Sequence, residues 1–313
     1  MVKDFKFRGI YCPLTTPYKD NLDIDYDDLR NEIEFCVQSG MHGIVTNVNA
    51  AEFYTLSDEE HEEITKFTAK QVDNRLPLMA GIVGWSAQHS IERAKQAESY
   101  GYDAVISMPP VITKPMDFDD IRRYYAKLDQ SINIPICIQN APPTGPSLTP
   151  EQVFLIAREC EHVQFVKEES DYEMDYVSRM VAMERVERPG VFGGVMSGNS
   201  GLTLIECYKR GACGCMPSAQ IGDIFATLWE FLEAGKMEEA CHLHNEMAPF
   251  LLYESYYWVA HFNFALWKRG IIKRMECRAK TIRYDEKNIE ECNRLLAPLE
   301  KYFKIHTLKD LYA

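Results

Sequence analysis

Eight short runs of apolar, β-favouring residues recur along the chain, beginning near Gly9, Gly43, Pro77, Ala104, Ile134, Val163, Val191 and Cys213. Their spacing of roughly 22 to 34 residues is about the length of one strand plus its returning helix. The stretches between them are amphipathic at helical period. Strand interiors such as Ile134-Pro-Ile-Cys-Ile and Val163-Gln-Phe-Val read as nearly continuous apolar runs, as expected for parallel strands buried on both faces. Eight βα units in succession predict closure into an α/β fold of the (β/α)8 TIM-barrel type.

The turns carry a weak internal repeat. Gly40-Met-His-Gly43, Gly101-Tyr-Asp-Ala104 and Gly211-Ala-Cys-Gly214 each place a glycine, suited to a left-handed helix end, three residues before a strand. Helix starts are marked as well. Ser57-Asp-Glu-Glu60 reads as a capping box, Thr149-Pro150-Glu151-Gln152 combines a cap residue with proline in the first turn, and Ser86 opens a third helix. The eighth helix ends near Gly235, which divides the chain into a barrel over 1–235 and a C-terminal helical region over 236–313, packed on the barrel. The aromatic residues of that tail (Tyr253, Tyr256, Tyr257, Trp258, Phe262, Phe264 and Trp267) are read as core or subunit interface rather than a ligand cage.

Composition narrows the partners. With 47 acidic against 34 basic residues and a net charge of −13, the 313-residue chain lacks the basic surface that nucleic acid or anionic lipid demands. No apolar run reaches the roughly 18 residues of a membrane span, and the N-terminus has no apolar stretch of signal-peptide type, so a cytoplasmic protein with a small-molecule partner is expected. The ten cysteines form no C-x-x-C pair and are read as reduced, mostly buried thiols. His242 and His244 give the one metal-like spacing, in the helical tail, and are read as surface residues. No phosphate loop or dinucleotide fingerprint occurs, so no cofactor and no metal are expected.

In a barrel of this kind, polar residues at the C-terminal ends of the strands are the catalytic candidates. Lys167 ends the run Val163-Gln-Phe-Val-Lys. Two readings of it stand: an ordinary ion pair with Glu168 or Glu169, or an amine whose pKa is lowered by burial in the barrel mouth, available as a Schiff-base nucleophile.

Four segments decide between these readings by resemblance: GIYCPLTTPY at the start, NAAEFYTLSDEEH after strand two, IPICIQNAPPTG after strand five and VQFVKEES on strand six. Together with their spacing and a later GACGCMPSA, they resemble the dihydrodipicolinate synthase/N-acetylneuraminate lyase family over about residues 8 to 275. The resemblance implies a class I aldolase-like barrel in which Lys167 forms an imine with a 2-oxo acid, and a homo-oligomer, either a tetramer or a dimer.

Departures from the family pattern sharpen the expectation. Where the family shows G-T-T-G-E, this chain has Val48-Asn-Ala-Ala-Glu52. Where it shows a tyrosine general acid/base in Y-N-x-P, this chain has Gln139-Asn-Ala-Pro142, and an amide cannot exchange a proton near neutral pH. The second relay tyrosine is missing from Met108–Thr113, and the synthase arginine has no counterpart in Pro142-Pro-Thr-Gly145. M-P-P after strand four and Q-[DN]-A-P after strand five resemble a branch that includes 2-keto-3-deoxy-L-arabonate dehydratase. The expected activity is therefore a Schiff-base lyase, a hydro-lyase on a 2-keto-3-deoxy sugar acid. The alternatives are a pyruvate-dependent aldolase or a dihydrodipicolinate synthase-like enzyme, and a non-catalytic 2-oxo-acid-binding barrel.

The residues expected at the site follow. Lys167 forms the imine, Gln139 and Asn140 orient the imine or a substrate hydroxyl, and Asn49 and Ala50 meet the substrate carboxylate. Glu52 is a base if it faces the cavity, or else an acceptor for its own loop. Ser170, Ser197, Asn199 and Ser218 contact substrate hydroxyls or cap helices.

Overall fold

The computed structural model describes residues 7–110, 116–141, 147–187, 192–279 and 284–312. Eight parallel strands close into a barrel in sequence order: β1 (Gly9–Pro13), β2 (Gly43–Thr46), β3 (Leu78–Gly81), β4 (Ala104–Ser107), β5 (Ile136–Asn140), β6 (Val163–Glu168), β7 (Gly194–Ser197) and β8 (Gly214–Cys215). Closure is made by Gly9 and Ile10 of β1 against Gly214 and Cys215 of β8. Helices α1 (Tyr26–Gln38), α2 (Asp58–Val72), α3 (Ala87–Ser99), α4 (Phe118–Asp129), α5 (Pro150–Glu159), α6 (Glu173–Glu187), α7 (Leu204–Lys209) and α8 (Gly222–Glu233) alternate with the strands. The tail adds α9 (Met237–Tyr257), α10 (Val259–Lys268), α11 (Glu286–Leu296) and α12 (Leu308–Leu311).

The signals read from the sequence act as physics requires. Ser57 and Thr149 form reciprocal capping boxes with Glu60 and Gln152, Pro150 sits in the first turn of α5, and Ser86 accepts from the His89 amide. Gly40, Gly101 and Gly211 all take positive φ. The expected seventh strand is displaced: it starts at Gly194, and Val191 lies outside the described residues.

Side chains alternate across each strand, so period two sorts the core into two layers. Ile10, Cys12 and Val166 face the helices, whereas Tyr11, Cys137, Phe165, Met196 and Met216 fill the barrel. Phe7, just before β1, plugs the N-terminal end against Tyr11 and Phe165, with ring centroids 5.1 and 4.4 Å away. A Cβ on Gly43 would stand 2.2 Å from the Tyr11 ring, so this aromatic layer demands glycine on the neighbouring strand.

Several ionisable side chains are buried where charge is costly. Burial pushes Glu32 and Glu254 up to about 8 and Glu168 to about 7, and pushes His61 and His261 down to about 3. The raised glutamates bind more protons folded than unfolded, so their contribution is complete below the ordinary value of 4.5 and is lost as pH rises toward 8. The histidines act oppositely: from 6.5 down to about 3 the unfolded chain binds the extra protons and stability falls with acidity. Urea midpoints measured across pH are expected to peak between about 4.5 and 6.5. A midpoint still rising from pH 6.5 to 8 would contradict this assignment.

Candidate active site

Period two on β6 carries Phe165 into the barrel interior, and two residues on carries Lys167 to the same face at the C-terminal end. Lys167 is 6% exposed and lines a cavity of about 370 Å³ in the barrel mouth. Its Nζ stands 2.9 Å from Oε1 of Glu169, so the ion pair foreseen as one reading is present. Gln139, paired in register with Lys167, donates from Nε2 to Oε2 of the same carboxylate at 2.8 Å. Glu169 is therefore held from two sides, and it lines the cavity beside the lysine. Room for it comes from Gly198, where a Cβ would lie 2.1 Å from the Glu169 side chain.

Behind this pair lies a buried polar layer that does not reach the cavity. Asn140 donates to Glu168 Oε2 at 2.7 Å and to the Leu148 carbonyl, and its own Oδ1 accepts the Leu148 amide. Glu168 also accepts the Ser170 amide, and Ser170 Oγ accepts from the Tyr172 amide at the approach to α6. Ser197 turns its hydroxyl to the Gly214 carbonyl. Among the expected substrate contacts, Asn140, Ser170 and Ser197 thus support the wall rather than line it, and Gln139 touches Glu169 without lining the cavity itself. Glu173, raised by burial, accepts from the Gly198 amide, the Asn199 side chain and the Thr203 hydroxyl, which fixes the loop after β7.

Asn49, Ala50, Asn199 and Ser218 do line the cavity with Lys167. Asn49–Ala51 is a short 3-10 turn whose first amides have no acceptor within the turn, so they are available to an anion. Glu52 is corrected. It is fully buried in left-handed backbone and does not line the cavity; its two oxygens accept the Ala279 and Arg278 amides at 2.6 and 3.3 Å. Its carboxylate is neither a base facing the cavity nor an acceptor for its own loop, but an anchor for the segment after α10; only its main-chain carbonyl accepts from the loop, from the Thr55 amide and hydroxyl.

Two other expectations change. His242 is exposed, but His244 is half-buried and bonds the Gly201 carbonyl at 2.9 Å. The tail aromatics divide: Phe264 is core, whereas Trp258 and Phe262 line the cavity. Trp258 sits at the α9–α10 junction with φ of 45°, a strained conformation for a bulky residue. The cysteines are free thiols, seven of them buried. Pro142–Gly145 and the end of Met108–Thr113 lie outside the described residues. Among the described residues no cluster of three or more His, Cys, Asp or Glu side chains is placed to hold a metal, and no helix is long and apolar enough to cross a membrane.

Sequence reasoning missed Glu169 as a cavity residue, having weighed it only as the partner of Lys167. It weighed Ser200, beside Asn199, only as a substrate contact or a helix cap, and it missed Thr203 and Ser255 entirely, because their approach depends on helix packing and no local pattern marks them.

A closed eight-stranded parallel barrel with a buried lysine at the C-terminal end of the sixth strand defines a lysine-bearing (β/α)8 barrel. The chain matches the model of the dihydrodipicolinate synthetase family over residues 6–298, and it belongs to that family. It is 30% identical over 248 residues to the 4-hydroxy-tetrahydrodipicolinate synthase of Methanocaldococcus jannaschii, covering 78% of this chain and 82% of the relative. The corresponding enzyme of Methanopyrus kandleri is 29% identical, covering 78% and 80%. Among solved structures, the 4-hydroxy-tetrahydrodipicolinate synthase of Methylacidiphilum fumariolicum SolV superposes with a TM-score of 0.86 at 25% identity, covering 98% of this chain and all of that one.

Proposed function

We propose that this barrel is a Schiff-base lyase that makes or breaks the C3–C4 bond of a 2-oxo acid, with pyruvate as the enamine-forming component. The observation that carries the reading is the Lys167–Glu169 pair at 2.9 Å in a cavity also lined by Asn49 and Ala50, the first residues of a 3-10 turn. The relatives named 4-hydroxy-tetrahydrodipicolinate synthase favour bond formation over dehydration.

The chemistry runs through atoms already placed. Glu169 accepts a proton from the Lys167 ammonium, and the freed amine adds to C2 of the 2-oxo acid; Glu169 returns that proton to the C2 hydroxyl, which departs as water, leaving a protonated imine and a free carboxylate. That imine withdraws electrons from C3. Glu169 then takes a C3 proton, giving an enamine whose C3 attacks an aldehyde carbon. Asn49 and Ala50 hold the substrate carboxylate, and Gln139 keeps the Glu169 carboxylate aimed at the reacting carbon.

Dehydration of a 2-keto-3-deoxy sugar acid is the second reading. It is favoured by Gln139 standing where the family keeps a tyrosine, and by Glu169 as a base beside the imine. Product analysis on a panel of 2-keto-3-deoxy acids separates the two: released pyruvate supports cleavage, and a semialdehyde product supports dehydration. Glu169→Gln is expected to form a borohydride-reducible pyruvate adduct more slowly, since Lys167 loses its base, and to slow exchange of the pyruvate methyl protons into D2O by about 10²-fold or more. Unchanged exchange, followed by NMR, would remove Glu169 as the base. The expected dimer or tetramer belongs to this reading. Exposed Tyr54, Trp85 and Tyr256 offer aromatic surface that a second copy would cover, and a monomer in light scattering would discard it.

A further inference from the structure

We infer that Glu254, on the tail helix α9, serves as the proton reservoir for the oxygen on substrate C4 and acts through the Ser218 hydroxyl. The inference rests on the Schiff-base reading and deepens it, because Gln139 cannot supply this proton.

Glu254 is fully buried, yet its carboxyl is aimed at the loop that follows β8. Ser218 Oγ lies 3.1 Å from Oε1, Gln220 Nε2 contacts Oε2, and the Ser200 hydroxyl bonds the same group. Ser218 and Ser200 line the cavity that Lys167 lines. The carboxyl is thus one hydroxyl away from anything bound there, on an element outside the barrel. Had it served only to tie α9 down, a glutamine would satisfy the same hydroxyls without the cost of burying an acid.

The groups around Glu254 leave its proton to be governed by burial. From the β8 side it meets Ser218 and Gln220, and from the loop after β7 it meets Ser200. Arg269, ion-paired with Asp223, binds the Gln220 main-chain carbonyl, and across the cavity that Ser218 and Ser200 line, Lys167 is paired with Glu169. On its own helix, His244 is engaged with the Gly201 carbonyl; on α10, His261 is turned to Tyr284. With no cation compensating it, the carboxyl is pushed up to about 8 and holds its proton at neutral pH.

In condensation, the enamine C3 bonds to the aldehyde carbon and the carbonyl π electrons pass to oxygen. That oxygen takes the Ser218 proton, and Ser218 takes the Glu254 proton. The enamine nitrogen becomes a protonated imine as Glu254 becomes a carboxylate. Hydrolysis of the imine consumes one water and returns Lys167 as its ammonium, and the C3 proton taken up by Glu169 passes by way of solvent to restore the Glu254 acid. In dehydration the same relay protonates the departing C4 hydroxyl, which leaves as water. Glu254 is a positioning residue in both, since Ser218 makes the contact.

The test compares wild type with Glu254→Gln, Glu254→Asp and Ser218→Ala, using pyruvate with borohydride, pyruvate methyl exchange, and turnover of the 2-keto-3-deoxy acid panel. Glu254→Gln is expected to keep the adduct and the exchange, to lose about 10²-fold in kcat with KM little changed, and to lose the fall in kcat above about pH 8. Ser218→Ala should behave similarly, and Glu254→Asp should recover part of the rate. Urea midpoints identify any variant that has merely lost its fold, and Ser218→Ala then carries the test. An adduct with unchanged kcat and an unchanged alkaline limb in Glu254→Gln overturns this inference alone, as does an adduct in wild type without turnover of any panel member. Absence of a wild-type adduct overturns the Schiff-base reading, and this inference with it.

Discussion

Replacing Lys167 by alanine is expected to abolish the borohydride-trapped pyruvate adduct and to lower turnover by about 10⁴-fold or more, since the covalent route carries an enzymatic acceleration of at least roughly 10⁶. The alanine variant also leaves Glu169 partly buried without its cation, so its loss of activity needs a control. Lys167→Arg provides one. A guanidinium preserves the charge opposite Glu169 but stays protonated and forms no imine. Both variants should be inactive and adduct-free, and the arginine variant should keep a urea midpoint near that of wild type. A reduced adduct in either variant, located by mass spectrometry on another lysine, would move the chemistry away from β6.

The second large effect is on stability. Arg269 at the end of α10 and Asp223 at the start of α8 form an ion pair in which the two side chains are 1% and 0% exposed, with contacts of 2.9 and 2.7 Å. The guanidinium also donates to the Gln220 and Ile305 carbonyls and lies between the Phe35 and Phe303 rings, 4.7 and 3.7 Å from their centroids. It therefore joins barrel, tail helix and C-terminal segment at one point. Arg269→Ala is expected to cost about 3 to 5 kcal/mol, because Asp223 is left charged and buried without its cation, with only the Ile224 and Lys304 amides to meet it. The double change Arg269→Met with Asp223→Leu should cost clearly less than that single change, because no charge is stranded. Equal urea midpoints for Arg269→Ala and wild type would show that the tail is held by its apolar contacts alone.

Some of the site was legible in the chain. The end of an apolar strand located Lys167 at the mouth of a barrel, because alternation along β6 forces the residue two after Phe165 onto the inner face. Turn geometry and strand-end position pointed to Asn49, Ala50, Asn199 and Ser218, and all four line the cavity. Other expectations failed for reasons of direction. Asn140, Ser170 and Ser197 are at strand ends as predicted, but their side chains satisfy buried neighbours, and a sequence position does not say which way a polar group will turn. Glu52 failed likewise: its left-handed backbone aims the carboxylate at residues 278 and 279, more than two hundred positions away in the chain.

The sequence by itself determined the barrel, its eight units, the helix caps and the lysine, since these follow from periodicities of two and 3.6 residues and from capping chemistry within a few residues. Only the tertiary structure decided what surrounds the lysine. Glu169 is fixed by Gln139 from a neighbouring strand, and Trp258 and Phe262 close the cavity from the helical tail. Glu254 reaches Ser218 across 36 residues of chain. Such contacts depend on how helices pack over the barrel, and packing is set by shape and burial summed over the molecule, for which no local stretch carries a signal.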